Sequence, residues 1–96
     1  MRVLRYKRLL RQHEITRYEF IVIELDLAIT FLEIALSAKD ENKSQRNEEH
    51  ANVALSAARR FLSEASLSEQ TRTEIEWRLS RVSSLQHEVE ETRAHD

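Results

Sequence analysis

The chain has 96 residues, of which none is glycine, proline or cysteine, and its formal net charge is −2. It therefore lacks the means for a disulfide, a thiolate metal ligand, a glycine-rich phosphate loop or the serine elbow of hydrolases. A domain of this size buries about 60–70% of the surface of its unfolded chain, which suffices for one modest core but not for a deep enclosed pocket. We predict an all-α protein that is not an enzyme and binds no cofactor.

The N-terminal segment, residues 1–14, differs from the rest of the chain in charge. Residues 1–13 carry five cations and no acid, whereas the remainder carries 17 acids and 10 bases. The cations are Arg2, Arg5, Lys7, Arg8 and Arg11. We predict a basic amphipathic arm, either separate from the first helix or continuous with it, of a kind that contacts nucleic acid or an anionic membrane surface.

The first helix is predicted over about residues 15–38. Its apolar stretch, residues 20–36, is interrupted by three acids, so insertion into a membrane would bury charges and is not expected. These acids are Glu24, Asp26 and Glu33. Apolar side chains spaced alternately by four and three residues predict a seam that faces the core: Tyr18, Val22, Leu25, Ile29, Leu32 and Leu36.

The stretch from residue 39 to residue 50 contains no apolar side chain, which argues against one continuous coiled coil and predicts a break. Asn42 suits a left-handed helix end and Ser44 suits an N-cap, so the link is expected to be short and the neighbouring helices antiparallel. The second helix is predicted over about residues 44–65. Its predicted core stripe, rich in alanine, is Ala51, Ala54, Leu55, Ala58, Phe61 and Leu62, opposite a polar face of Asn52, Ser56, Arg59 and Ser63.

The third helix is predicted over about residues 69–93, capped by Ser66 or Ser68. Its predicted seam is Ile75, Leu79, Val82, Leu85 or Gln86, and Val89. Together the three elements predict an antiparallel three-helix bundle, a helical hairpin plus a third helix, that occupies residues 15–96.

The first helix has more apolar surface than two neighbours require, because apolar residues fill roughly 260° of its circumference. Beside the predicted seam runs a second apolar line, which we call the outer stripe: Phe20, Ile23, Leu27, Phe31 and Ile34. Two interpretations remain open. Either the helix is central and the arm covers the remainder, or the outer stripe binds a second copy or a partner helix. Trp77, which lies off the seam of the third helix, is either a cover for the core edge or a further partner contact.

Glu24 falls within the apolar arc, where an unpaired carboxylate is costly. Either it reaches solvent at an edge or it pairs with a basic side chain from another helix, and the candidates are Arg59, Arg60, Arg78 and His50. The four histidines are scattered, and His87 with Glu91 offers only two ligands, so we expect no metal site.

Three segments carry a family resemblance: A-x-x-F-L-E-I-A at 28–35, A-N-V-A-L-S-A-A-R-R-F-L at 51–62 and W-R-L-S-R-V-S-S-L at 77–85. They resemble the helical hairpins of tetratricopeptide-like and microtubule-interacting-and-trafficking-type three-helix domains. The chain lacks the glycine or tyrosine of the first turn and the proline near repeat ends that are usual in those domains. The resemblance implies a scaffold that binds peptide helices, and it assigns no binding residue. The chain also resembles small bacterial three-helix proteins of unassigned function.

The leading functional prediction is a non-enzymatic, cytoplasmic protein–protein interaction module that forms a homodimer or docks a partner helix through the outer stripe. The alternative is a small dimeric regulator whose basic arm contacts nucleic acid. Salt-sensitive binding to DNA or RNA would favour the alternative.

Overall fold

A computed structural model describes residues 17–64 and 67–94. The described chain forms three helices, α1 (Arg17–Ser37), α2 (Glu41–Glu64) and α3 (Glu69–Ala94), and the ranges it covers contain no strand. The predicted all-α three-helix class is confirmed. The arm of residues 1–14, with its five cations, lies outside the described residues.

Helix α1 is the centre of the bundle. It packs directly against both α2 and α3, whereas no Cα atom of α2 comes within 8 Å of a Cα atom of α3 in the described ranges. The largest fully buried side chains are Ile21, Leu25 and Leu32 of α1 and Ile75, Val82, Leu85 and Val89 of α3. Helix α2 contributes mainly small side chains to this core, namely Ala51, Ala54 and Ala58 together with Leu55. These alanines allow the backbones of α1 and α2 to approach closely.

The buried line of α1 is rotated around the helix relative to the predicted seam. Leu25 and Leu32 are fully buried as predicted, but the rest of the buried line consists of Ile21, Ala28 and Ala35. The other members of the predicted seam are only half-buried: Tyr18, Val22, Ile29 and Leu36. The physical reason is that a helix between two neighbours buries most deeply the line that points between them, and here small residues occupy part of that line.

The seams of α2 and α3 were predicted more accurately. In α2 the predicted alanines and Leu55 are buried, Phe61 and Leu62 are half-buried, and the predicted polar face is exposed. In α3 the choice between Leu85 and Gln86 is resolved, because Leu85 is 1% exposed and Gln86 is intermediate.

The start of α2 corrects two predictions. The Asp40 carboxylate accepts a hydrogen bond from the Asn42 amide at 3.0 Å, and the Asp40 carbonyl accepts one from the Ser44 amide. Asp40 is therefore the N-cap, α2 begins three residues before Ser44, and Asn42 lies within the helix rather than at a left-handed end. At the start of α3 the Ser68 hydroxyl accepts a hydrogen bond from the Thr71 amide at 3.3 Å, so Ser68 is the cap.

Candidate interaction surface

One side of the α1–α2 hairpin keeps large apolar side chains in contact with solvent. Ile23 is 49% exposed, Leu27 42% and Val53 71%, and Trp77 of α3 is the one other large hydrophobic residue exposed to this degree among the described residues. Helical periodicity places the first three on the side of the hairpin that faces away from α3. We call this surface the outer face, and its members are Ile23, Leu27 and Ile34 of α1 with Val53 and Ala57 of α2.

Two ring contacts form the border between α1 and α2 on this side. The ring centroids of Phe20 and Phe61 lie 4.5 Å apart, and those of Phe31 and His50 lie 5.2 Å apart. The outer stripe predicted from sequence therefore divides. Phe20 and Phe31 are half-buried against α2, Ile34 is half-buried, and Ile23 and Leu27 remain exposed.

The opposite side of α1 is occupied by polar contacts with α3. Arg78 donates a hydrogen bond from Nε to the Asp26 carboxylate at 3.0 Å, and Arg81 lies 3.8 Å from the Glu33 carboxylate. Tyr18 also donates a hydrogen bond to Glu74. These contacts fix α3 on that side, so α3 does not cover the outer face.

The outer face carries charges of both signs on its α2 rim. Glu49 and Arg60 are exposed, and neither forms an ion pair with another described side chain. They lie eleven residues apart along α2. Arg46, also exposed, lies on the same line of α2 seven residues before Val53. The rim thus offers one acid and two bases to a molecule that covers the face.

Glu24 lies at the α1–α2 boundary and is half-buried. Burial raises the pKa of its carboxyl group because the charged form loses contact with water. Of the two interpretations of Glu24, the structure excludes an ion pair with any of the four candidates. Arg78 binds Asp26, and His50 lies against Phe31. Arg59 and Arg60 make no ion pair with a described side chain. Glu24 therefore fits the other interpretation, in which its carboxylate reaches solvent at the edge of the apolar arc.

Trp77 projects from α3 with 64% of its surface exposed. The guanidinium carbon of Arg78 lies 5.7 Å from the ring centroid, within the range of a cation–π contact. Trp77 does not cover the core edge. It is a second exposed apolar group, separate from the outer face.

Sequence reasoning missed a polar cluster that joins all three helices. The Ser44 hydroxyl donates to the Ala35 carbonyl at 2.8 Å and accepts a hydrogen bond from Arg93 at 3.0 Å, while Arg93 also donates to the Glu48 carboxylate. Ser44 is 7% exposed. We call this cluster the clamp. A cavity of about 100 Å³ adjoins it, lined in part by Leu36 and Val89.

A signal for the clamp is present in the sequence. Ser44 precedes Ala51 by seven residues and Arg93 follows Val89 by four, so both continue the buried faces of their helices. The cluster is structural in character, because its hydrogen bonds are made within the chain and the adjoining cavity is too small for more than a few water molecules.

In the ranges 17–64 and 67–94, no group of three or more potential ligand side chains is arranged to hold a metal ion. His87 and Glu91 form an exposed pair at 3.1 Å. Within the same part of the chain, no helix combines the length and the apolar character needed to cross a membrane.

Comparison with protein-family models, with curated proteins and with solved structures found no match to this chain. The resemblance to tetratricopeptide-like and related three-helix domains therefore stays a prediction.

Proposed function

We propose that this chain is a non-enzymatic helical interaction module whose outer face docks a helix, supplied either by a second copy or by another protein. The observation that supports the proposal most strongly is the grouping of Ile23, Leu27 and Val53, three large and exposed apolar residues, on one side of a two-helix hairpin. Contiguous apolar patches on small proteins are typical of interaction surfaces. The absence of cysteine suits a reducing compartment, and we propose the cytoplasm.

The shape of the outer face suits a helix as the ligand. Leu27 follows Ile23 by four residues and Ile34 follows Leu27 by seven, so they form a line along α1, and Val53 and Ala57 form a parallel line on α2. Two such lines form one elongated apolar strip along the hairpin. An amphipathic helix binds an apolar strip of this kind through anchors at i, i+3, i+4 and i+7.

Replacement of Leu27 by lysine tests this proposal. Two differently tagged copies are co-expressed, and complexes that contain either the second tag or another helical protein are recovered through the first tag. We expect Leu27→Lys to abolish these complexes because it places a charge at the centre of the apolar line. The matched control is Ser80→Lys, an exposed position on α3, which should retain them. Recovery of the same complexes with Leu27→Lys as with the wild type would contradict the proposal.

The second candidate function is a regulator whose arm contacts nucleic acid. It is supported by the concentration of five cations and no acid in residues 1–13, against an acidic remainder. We expect such binding to weaken steeply as salt is added, and to be lost when Arg5, Lys7, Arg8 and Arg11 are changed to alanine. Binding that the four substitutions leave unchanged would exclude this function.

A further inference from the structure

We infer that the occupant of the outer face is a second copy of this chain, bound with α1 antiparallel to α1 of the first copy and with Leu27 on the two-fold axis. This inference rests on the proposed function and specifies its partner. Three observations support it: the symmetry of the outer stripe, the register of α2 beside it, and the charges on the rim.

The outer stripe has the same spacing in both directions from Leu27. Ile23 and Phe31 lie four residues before and after it, and Phe20 and Ile34 lie seven residues before and after it. Rotation about a two-fold axis at Leu27 therefore places Ile23 opposite Phe31 of the second copy and Phe20 opposite Ile34. Every apolar position of the stripe meets an apolar position, as an isologous interface requires.

The ring contacts fix which part of α2 lies beside this axis. Because Phe20 lies against Phe61 and Phe31 against His50, Leu27 lies beside Ala54 in the antiparallel hairpin. Val53, 71% exposed, is the neighbour of Ala54 on the outer face. The same two-fold axis thus brings Val53 close to its counterpart in the second copy.

Two of the three rim charges, Arg60 and Glu49, are complementary under this rotation. Arg60 lies six residues after Ala54 and Glu49 five residues before it. The rotation therefore places Arg60 of each copy within about one residue of Glu49 of the other, so two ion pairs border the interface. Neither side chain has an ionic partner among the described residues of its own copy. Opposite charges at such positions favour one orientation over others.

The size of the outer face sets the expected affinity. Helix α1 has 21 residues, which corresponds to a length of about 32 Å, and two adjacent helices present a width of roughly 20 Å. The footprint is about 600 Å² per copy, near the lower limit for specific interfaces. We expect a dimer that dissociates on the order of micromolar concentrations.

Cysteine cross-linking tests the orientation, and the absence of natural cysteine makes each introduced thiol unique. Leu27→Cys should form a disulfide-linked dimer rapidly, since the two thiols meet at the axis. Ile23→Cys should cross-link no faster than Ser80→Cys on α3, because the antiparallel arrangement separates the two Ile23 positions by about 12 Å along the helix axis. The replaced positions are exposed, and an unchanged melting temperature confirms that each variant is folded.

Charge exchange provides a second readout. Glu49→Arg and Arg60→Glu should each weaken the dimer roughly tenfold, because each brings like charges together, and the double variant should restore it. Rapid cross-linking of Ile23→Cys, or failure of the double variant to restore affinity, would overturn the antiparallel arrangement and leave the proposed docking function standing. If Leu27→Cys cross-links slowly and the wild type is a monomer, then a second copy does not occupy the outer face. Failure of the docking proposal itself is detected by a different result: complexes would still be recovered with Leu27→Lys.

Discussion

Removal of the Arg93 side chain should destabilise the fold much more than removal of another arginine on the same helix. Arg93 hydrogen-bonds to Ser44 and to Glu48 of α2, in a pair whose side chains are 29% and 23% exposed. Arg81 makes a longer contact of 3.8 Å with Glu33, and those side chains are 44% and 54% exposed. Arg93→Met therefore removes two charge-assisted hydrogen bonds from a partly buried site, whereas Arg81→Met removes one screened contact.

The expected loss for Arg93→Met is about 1.5–2 kcal/mol of unfolding free energy, since even one hydrogen bond to a charged group is worth about 1.5–3 kcal/mol. We take the lower part of that range because Arg93 Nε is buried without a hydrogen-bond partner in the described structure, and its removal recovers part of the cost. For a domain of this size 1 kcal/mol corresponds to about 4–8 °C in melting temperature. Arg81→Met should cost less than about 0.5 kcal/mol.

Urea and thermal unfolding followed by circular dichroism measure both variants. The Ser44→Ala and Arg93→Met double variant should lose less than the sum of the two single losses, because both substitutions act on the same hydrogen bond. Equal stability of Arg93→Met and Arg81→Met would show that the clamp does not hold α3 against α2.

Two further predictions concern the exposed and half-buried groups. Glu24→Gln should raise stability at neutral pH by less than about 1 kcal/mol, because the raised pKa of Glu24 means that its ionisation disfavours the folded state. This difference in stability should vanish below pH about 4, where the carboxyl group is protonated in both the folded and the unfolded chain. Urea unfolding of the dilute protein at neutral pH and at the acidic pH measures it. Trp77→Ala should change the unfolding free energy by less than about 0.5 kcal/mol, because the ring is mostly in solvent; a larger loss in thermal unfolding would show that the ring covers part of the core.

The number and type of the helices were predictable from the sequence because the apolar periodicity is strong and two polar stretches separate the elements. Helix ends were less predictable. Asp40 and Ser44 are both good caps, and only the tertiary structure, in which the Ser44 hydroxyl binds Ala35 and Arg93, assigns the cap to Asp40. A side chain used in tertiary contacts is not available to the helix end.

The candidate surface was predictable in part for a similar reason. The composition of α1 indicated surplus apolar area, but pattern alone did not indicate which line faces the core when helices pack on two sides. Alanines at positions 28 and 35 take the deepest line because they allow close approach. Val53 of α2 was not identified, since its exposure follows from the position of α3 on the opposite side.

Sedimentation equilibrium across a concentration series measures self-association of the outer face. We predict that the mass of the wild type rises from 11.4 kDa toward twice that value over the micromolar range, and that Leu27→Lys stays at the monomer mass while folded. A wild type that remains monomeric at about 1 mM, far above the dissociation concentration expected for this footprint, would contradict it.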